Sequence, residues 1–211
     1  MADTLQITFT MFGETVREYS QFFLQPLARF FKATGITPNG LTILGFILMI
    51  GVAGVLAQGY FLLGGILIIA VVILDALDGL LARMSNLTSR FGAFLDSTLD
   101  RYSEAVLFLG VFIHLISEPG HEQQLILIYA AMVGSLMVSY ARARAEAIGV
   151  ALKDGLLTRF ERIFILCTGL ILYGLWSPVA LTGGLWVLAI LSNFTAIQRM
   201  YLVWRNLEPD S

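Results

Sequence analysis

The sequence predicts an all-α integral membrane protein: six transmembrane helices preceded by an N-terminal amphipathic helix that lies in the membrane interface. Three observations predict it. Of the 211 residues, 57% are hydrophobic and only 13% charged, with a mean hydropathy of +0.81, whereas a soluble domain carries about 25% charged residues. Apolar segments near or above the roughly 18–20 residues needed to cross a bilayer recur along the chain. The lysines and arginines, finally, all fall on one side of the topology those segments define.

Residues 9–31 come first. Phe9, Phe12, Val16, Tyr19, Phe23, Leu27 and Phe30 recur at steps of three and four, with Glu14, Arg17, Glu18, Gln21, Gln25 and Arg29 between them. One apolar stripe on a charged helix is the pattern of an element lying in the interface rather than crossing it. Residues 1–36 are therefore read as an interfacial helix and 37–211 as the transmembrane domain. An acidic residue early in MADTLQITFTMFGETVREYS, and no basic stretch before an apolar core, argue against a signal peptide.

After GITPNG, spans are expected at about 41–58, 61–81, 92–116, 124–147, 160–176 and 179–203. Breaks fall at QGY (58–60), SEPGHEQQ (117–124), LKDGLLTR (152–159) and WSP (176–178). Six spans return the chain to the side it started from. Arg17, Arg29, Lys32, Arg83, Arg90, Arg101, Arg142, Arg144, Lys153, Arg159, Arg162, Arg199 and Arg205 then share one face, and the three loops opposite carry none. The positive-inside rule places that face and both termini in the cytoplasm. The single cysteine, Cys167, lies within an apolar segment and excludes an intramolecular disulfide framework.

Four carboxylates interrupt this apolar chain in VVILDALDGLLARMSNLTSRFGAFLDSTLDR, residues 71–101. A carboxylate at mid-bilayer costs about 2.5–3.5 kcal/mol, and less near the interface. Asp75, Asp78 and Ala82 stand at i, i+3 and i+7; Gly92, Asp96 and Asp100 stand at i, i+4 and i+8. Each set shares one helix face, and the short connection makes the two helices antiparallel neighbours. Four such charges repel unless a cation joins them, and an all-oxygen set without His or Cys suits Mg²⁺, Mn²⁺ or Ca²⁺. Gly79 clears side-chain bulk beside Asp78, and Arg83 offers a forked donor to phosphate. Metal, arginine and a spare carboxylate together equip phosphoryl transfer. The rival reading is a cation pathway, which requires ionisable groups continuing across the membrane. Only His114 extends in that direction.

Written as D-x2-D-G-x2-A-R-x8-G-x3-D-x3-D, residues Asp75, Asp78, Gly79, Ala82, Arg83, Gly92, Asp96 and Asp100 resemble, at every position, the signature of the CDP-alcohol phosphatidyltransferases. The likeness extends to Thr37, Pro38, Asn39, Leu41 and Thr42, which match a TPN-x-LT element, and to the six spans. That resemblance implies transfer of a phosphatidyl group from a CDP-linked lipid to an alcohol, release of CMP, use of Mg²⁺ or Mn²⁺, and a homodimer. By carry-over, Asp75, Asp78 and Asp96 are expected as metal ligands, and Asp100 as a further ligand or the general base. Asn39, Thr42, Gly79, Ala82 and Arg83 are expected, with Asp75 and Asp78, to border the CMP and diphosphate. No nucleic-acid partner is expected.

The acceptor is read from arginines. Arg142 and Arg144 end span four, Arg159 and Arg162 open span five, and Arg199 lies near the end of span six, all on the pocket's side. Anchoring to anionic headgroups accounts for part of this charge. Convergence of Arg142, Arg159, Arg162 and Arg199 points further, to an acceptor that itself carries a phosphate. SYARARAE followed by RFER resembles the branch that uses inositol 1-phosphate, although that branch usually has lysine at the position of Arg142. Glycerol 3-phosphate is the second choice.

Overall fold

The computed structural model describes residues 25–85, 87–152 and 155–208, and among them the chain is all-helical. Residues 25–33 form helix α1; α2 (Pro38–Ala57), α3 (Phe61–Met84), α4 (Arg90–Ile116), α5 (Glu122–Ala147), α6 (Arg159–Leu175) and α7 (Val179–Leu207) follow. Each of the six expected apolar segments is one helix, with ends within a few residues of those expected. The expected interfacial helix falls largely on residues outside the described ones; of it, residues 25–31 are helical.

Local chemistry sets the helix ends. Thr37 Oγ1 accepts the Gly40 N–H at 3.1 Å, and Pro38 occupies the first helical position, where its missing N–H costs nothing. At the other end of α2, Gly59 has φ +82°. Its N–H donates to Leu56 O at 2.9 Å and that of Tyr60 to Val55 O at 3.3 Å, the paired closure that needs a left-handed residue. Gly149, φ +80°, closes α5 in the same way through Glu146 and Ala145.

Among the described residues, four helices are long and apolar enough to cross a membrane: Pro38–Ala57, Phe61–Met84, Glu122–Ala147 and Val179–Leu207. Their outward faces carry large apolar side chains in the open, among them Ile43, Ile47, Ile66, Ile69, Ile126 and Ile190. In water such faces would associate; in lipid they are ordinary. The protein is a membrane protein. Helix α4 carries Asp96, Asp100, Arg101 and Glu104 in its first half, and α6 has 17 residues, two of its first four basic, so neither meets the criterion of length and apolarity.

The chain divides into two compact units. The first consists of the described part of Met1–Ile47 with Val71–Leu99. Its core is Ala28, Leu41, Leu77, Leu80 and Leu81, against which Phe31, Ile36, Leu74 and Met84 pack. Lys32 Nζ donates to Met84 O at 2.9 Å, placing a cation on the carbonyls that end α3.

The second unit consists of Leu48–Ala70 with Asp100–Ser211. Helices in lipid gain little from apolar burial against one another, so close approach matters more, and small residues allow it. A Cβ on Gly110 would strike the Ala53 backbone, and one on Gly134 would lie 2.8 Å from Ser192 Cβ. Asn193 Nδ2 adds a polar link, donating to Ala130 O at 2.9 Å and to Ala189 O at 2.8 Å.

Candidate active site

In the first unit, α3 brings Asp75, Asp78, Gly79, Ala82 and Arg83 to its C-terminal half, while α4 brings Gly92 and Asp96 in its first two turns. Asp75, Asp78 and Asp96 each place one carboxylate oxygen within 4.8 Å of the others. Helix α2 closes the group from the side. Thr42 Oγ1 lies 2.5 Å from Asp78 Oδ2, to which it donates, and 3.1 Å from Pro38 O. The hydroxyl thereby restrains the Asp78 carboxylate. Gly45 lets α2 approach, since a Cβ there would lie 3.6 Å from Asp75 Oδ1.

Thr42, Asp78 and Asp96 border a cleft of about 200 Å³ that opens to the outside. Its walls include Pro38 and Asn39 from the first turn of α2, Ser89 and Gly92 from the start of α4, and Gly79, Ala82 and Arg83 from α3. Ser89 Oγ accepts the Gly92 N–H at 2.9 Å and so caps α4. Two helix N-termini, with their positive partial charge, thus stand at one cleft, an arrangement suited to phosphate oxygens. Gly92 is required by packing: a Cβ would sit 2.9 Å from Asn39 Oδ1. At Gly79 the one neighbour of such a Cβ among the described residues is Arg83 Nη1 at 3.8 Å, so the helix surface there is open to them.

A divalent cation fits this group. Oxygens around one Mg²⁺ at about 2.1 Å lie at most about 4.2 Å apart, so small rotations of the three carboxylates bring them into range. Three half-buried carboxylates so close together also repel one another, which a cation relieves.

The fourth carboxylate, Asp100, is one turn beyond Asp96 on α4 and belongs to the second unit. There Arg159 Nη1 stands 2.6 Å from its Oδ1, and Arg101 Nη1 is 3.6 Å from its Oδ2. The other three acceptor arginines have partners of their own. Arg142 is exposed and pairs with Glu146 at 2.8 Å. Arg162 is buried, its Nε and Nη2 donating to the two Glu104 oxygens at 2.7 and 2.8 Å. Arg199 is 4% exposed. Its Nη1 donates to Val138 O at 2.7 Å, its Nε has no acceptor among the described residues, and Gly155 backs directly against its guanidinium. Arg101, Arg142 and Arg162 hold their charges near enough to repel it. An anion among these cations would be strongly favoured.

Two polar residues stand outside the pattern of periodic carboxylates and clustered arginines. Glu104, the partner of Arg162, enters the apolar part of α4 as its only later acidic residue, and Asn193 lies amid the apolar turns of α7. Ionisable and amide groups inside a span are the signal that the chain itself offers for both.

The family model for CDP-alcohol phosphatidyltransferase matches residues 35–197. The archaetidylinositol phosphate synthase of Pyrococcus horikoshii is 39% identical over 188 residues, covering 87% of this chain and 94% of that protein. The crystal structure of phosphatidylinositol phosphate synthase from Mycobacterium tuberculosis in complex with manganese and citrate is similar with a TM-score of 0.82 and 34% identity, over 86% of this chain and 88% of that one. The same enzyme with CDP-DAG bound gives 0.80, also at 34% identity, over 86% and 93%.

Proposed function

The chain belongs to the CDP-alcohol phosphatidyltransferase family, and from that premise we propose that it transfers a phosphatidyl group from a CDP-linked lipid to a phosphorylated alcohol, inositol 1-phosphate, releasing CMP. The observation that carries the reading is the meeting of Asp75, Asp78 and Asp96, the latter two at a cleft walled by two helix N-termini. The names of the relatives, both inositol phosphate lipid synthases, support the choice of acceptor.

Asp75, Asp78 and Asp96, with Asp100, would hold Mg²⁺ or Mn²⁺, which when bound supplies neutralisation of charge on the diphosphate. Asn39, Thr42, Gly79, Ala82 and Arg83 bind the cytidine nucleotide and its phosphates, the open surface at Gly79 admitting the ligand to the helix backbone. The acceptor hydroxyl oxygen forms a bond to the phosphorus that bears the lipid, and the bond from that phosphorus to CMP breaks. Asp100 takes the hydroxyl proton as general base. Arg142, Arg159 and Arg199 hold the acceptor phosphate with forked donors. Arg162, committed to Glu104, adds charge to that pocket rather than a free donor.

Six helices cross the bilayer in this reading, α4 and α6 completing the set. Helix α6 is about 26 Å long at 1.5 Å per residue, near the hydrocarbon thickness. Residues 1–36 lie in the interface, the basic face and both termini are cytoplasmic, and the enzyme acts as a homodimer. The lipid donor enters from the bilayer and the water-soluble acceptor from the cytoplasm.

The test is release of CMP from CDP-diacylglycerol by purified protein with Mg²⁺ or Mn²⁺, with inositol 1-phosphate, glycerol 3-phosphate, serine or no acceptor. Release that depends on inositol 1-phosphate is expected. Release only with glycerol 3-phosphate would move the chain to another branch. No release with any acceptor, from ester- or ether-linked donors, would remove the proposed function and direct attention to cation flux.

A further inference from the structure

Two ion pairs join α4 to α6 one turn apart. Asp100 meets Arg159 at 2.6 Å; four residues on in α4 and three on in α6, Glu104 meets Arg162 through two parallel hydrogen bonds of 2.7 and 2.8 Å. The order of the rungs shows that the helices run in the same direction. They differ in depth. Asp100 and Arg159 retain 14% and 29% of their side-chain exposure, whereas Glu104 and Arg162 are 5% and 2% exposed.

A buried ion pair is poor evidence for stability, because desolvation cancels much of its attraction and an apolar pair of similar volume often serves as well. What two parallel bonds do provide is position. Sliding α6 along α4 by one residue, about 1.5 Å, would break both. The start of α6 is independently set, since Glu161 turns back to accept from the Thr158 N–H at 2.8 Å and from its hydroxyl. That leaves Arg159 and Arg162 as the basic groups facing α4.

We propose that Glu104 is a positioning residue for the transfer: by holding Arg162 it sets the register of α6 on α4, and so brings the Arg159 guanidinium to Asp100. This rests on the function proposed above, in which Asp100 receives the acceptor proton and Arg159 meets the acceptor phosphate. Glu104 touches neither substrate.

Two variants separate position from folding. Glu104→Gln keeps the shape and loses the charge. The double variant Glu104→Leu/Arg162→Met removes both buried charges together and so leaves none unpaired. Both are expected to lower turnover, or raise the acceptor KM, on the order of tenfold or more, while the KM for CDP-diacylglycerol stays within about twofold of the parent because the donor cleft is lined from α2, α3 and the first turns of α4. A purely structural pair predicts a Glu104→Gln variant that, once folded and with the Arg162 charge still in the pocket, is kinetically normal, and that result would overturn the proposal.

A second readout needs no activity. Cys167 is the only cysteine, so in a Cys167→Ser background nitroxide labels at Tyr102→Cys and Phe160→Cys, both exposed positions, report the spacing of α4 and α6 by pulsed electron resonance. A single narrow distance is expected for the parent, and a shifted or broadened one for the double variant. An unchanged distribution would also overturn the proposal. Absence of CMP release from the parent would instead overturn the proposed function, and the distance comparison would still judge the role of Glu104.

Discussion

Thr42 donates to Asp78 across 2.5 Å, from one helix to the carboxylate of the next. The bond holds one oxygen of Asp78, whose carboxylate comes within 4.8 Å of those of Asp75 and Asp96. A hydroxyl one step removed from a metal ligand orients it, and loss of such a partner typically costs 10–100-fold in metal affinity. Thr42→Val keeps the shape and removes the donor. It is expected to raise the Mg²⁺ concentration for half-maximal CMP release by about tenfold or more, with thermal stability nearly unchanged; metal titrations of the two proteins check this.

Chelation with EDTA is expected to stop CMP release and added Mg²⁺ or Mn²⁺ to restore it. Asp96→Asn removes one of the three converging carboxylates, and added metal is expected not to rescue it. Metal neutralisation of transferring phosphate is worth several kcal/mol, so the loss is on the order of a thousandfold. Substantial turnover by Asp96→Asn at high metal would show that the Asp75, Asp78 and Asp96 group is not the metal centre.

The two cleft glycines make opposite predictions for stability. Among the described residues alanine at Gly79 meets only Arg83 Nη1 at 3.8 Å, and replacing an interior helical glycine reduces the freedom of the unfolded chain. The variant is expected to be more stable by about 0.4–1 kcal/mol, yet to bind CDP-lipid more weakly because a methyl enters the cleft. Alanine at Gly92 is driven against Asn39 Oδ1 at 2.9 Å, and is expected to lose both stability and donor affinity. Thermal melts paired with donor KM values separate the cases.

Arg199→Ala is expected to raise the acceptor KM and leave the donor KM near its original value, since the guanidinium lies in the cationic group of the second unit. The variant also strands Val138 O, which loses its 2.7 Å donor, at about 1–3 kcal/mol of stability. Arg199→Lys retains the charge without the fork, and an intermediate acceptor KM is expected. An acceptor KM equal to the parent's in both variants would remove Arg199 from the pocket.

Much of the site is legible in the sequence because a helix has a fixed period. Steps of three and four residues put Asp75, Asp78 and Ala82 on one face and Gly92, Asp96 and Asp100 on another, and the short turn between α3 and α4 makes those faces neighbours. The arginines are legible as a group in the same manner. Their individual partners are not, because a sequence carries no record of which groups meet across helices. Arg162 reads as a donor to phosphate, yet Glu104, 58 residues away, takes its fork. Thr42 reads as part of the TPN-x-LT turn, yet its hydroxyl serves Asp78, 36 residues on.

The sequence by itself determined the class of the protein, the six apolar helical segments, the chemistry of the carboxylates and the kind of ligand they suit. These follow from composition, periodicity and charge, all properties of the chain taken locally. Only the tertiary structure decided that Asp75, Asp78 and Asp96 converge with Thr42 behind them, that Asp100 meets Arg159, and that Glu104 holds Arg162. The reason is physical: the register of one helix against another is set by side chains distant in the sequence, and a shift of about 1.5 Å, a single residue's rise, exchanges one set of partners for another.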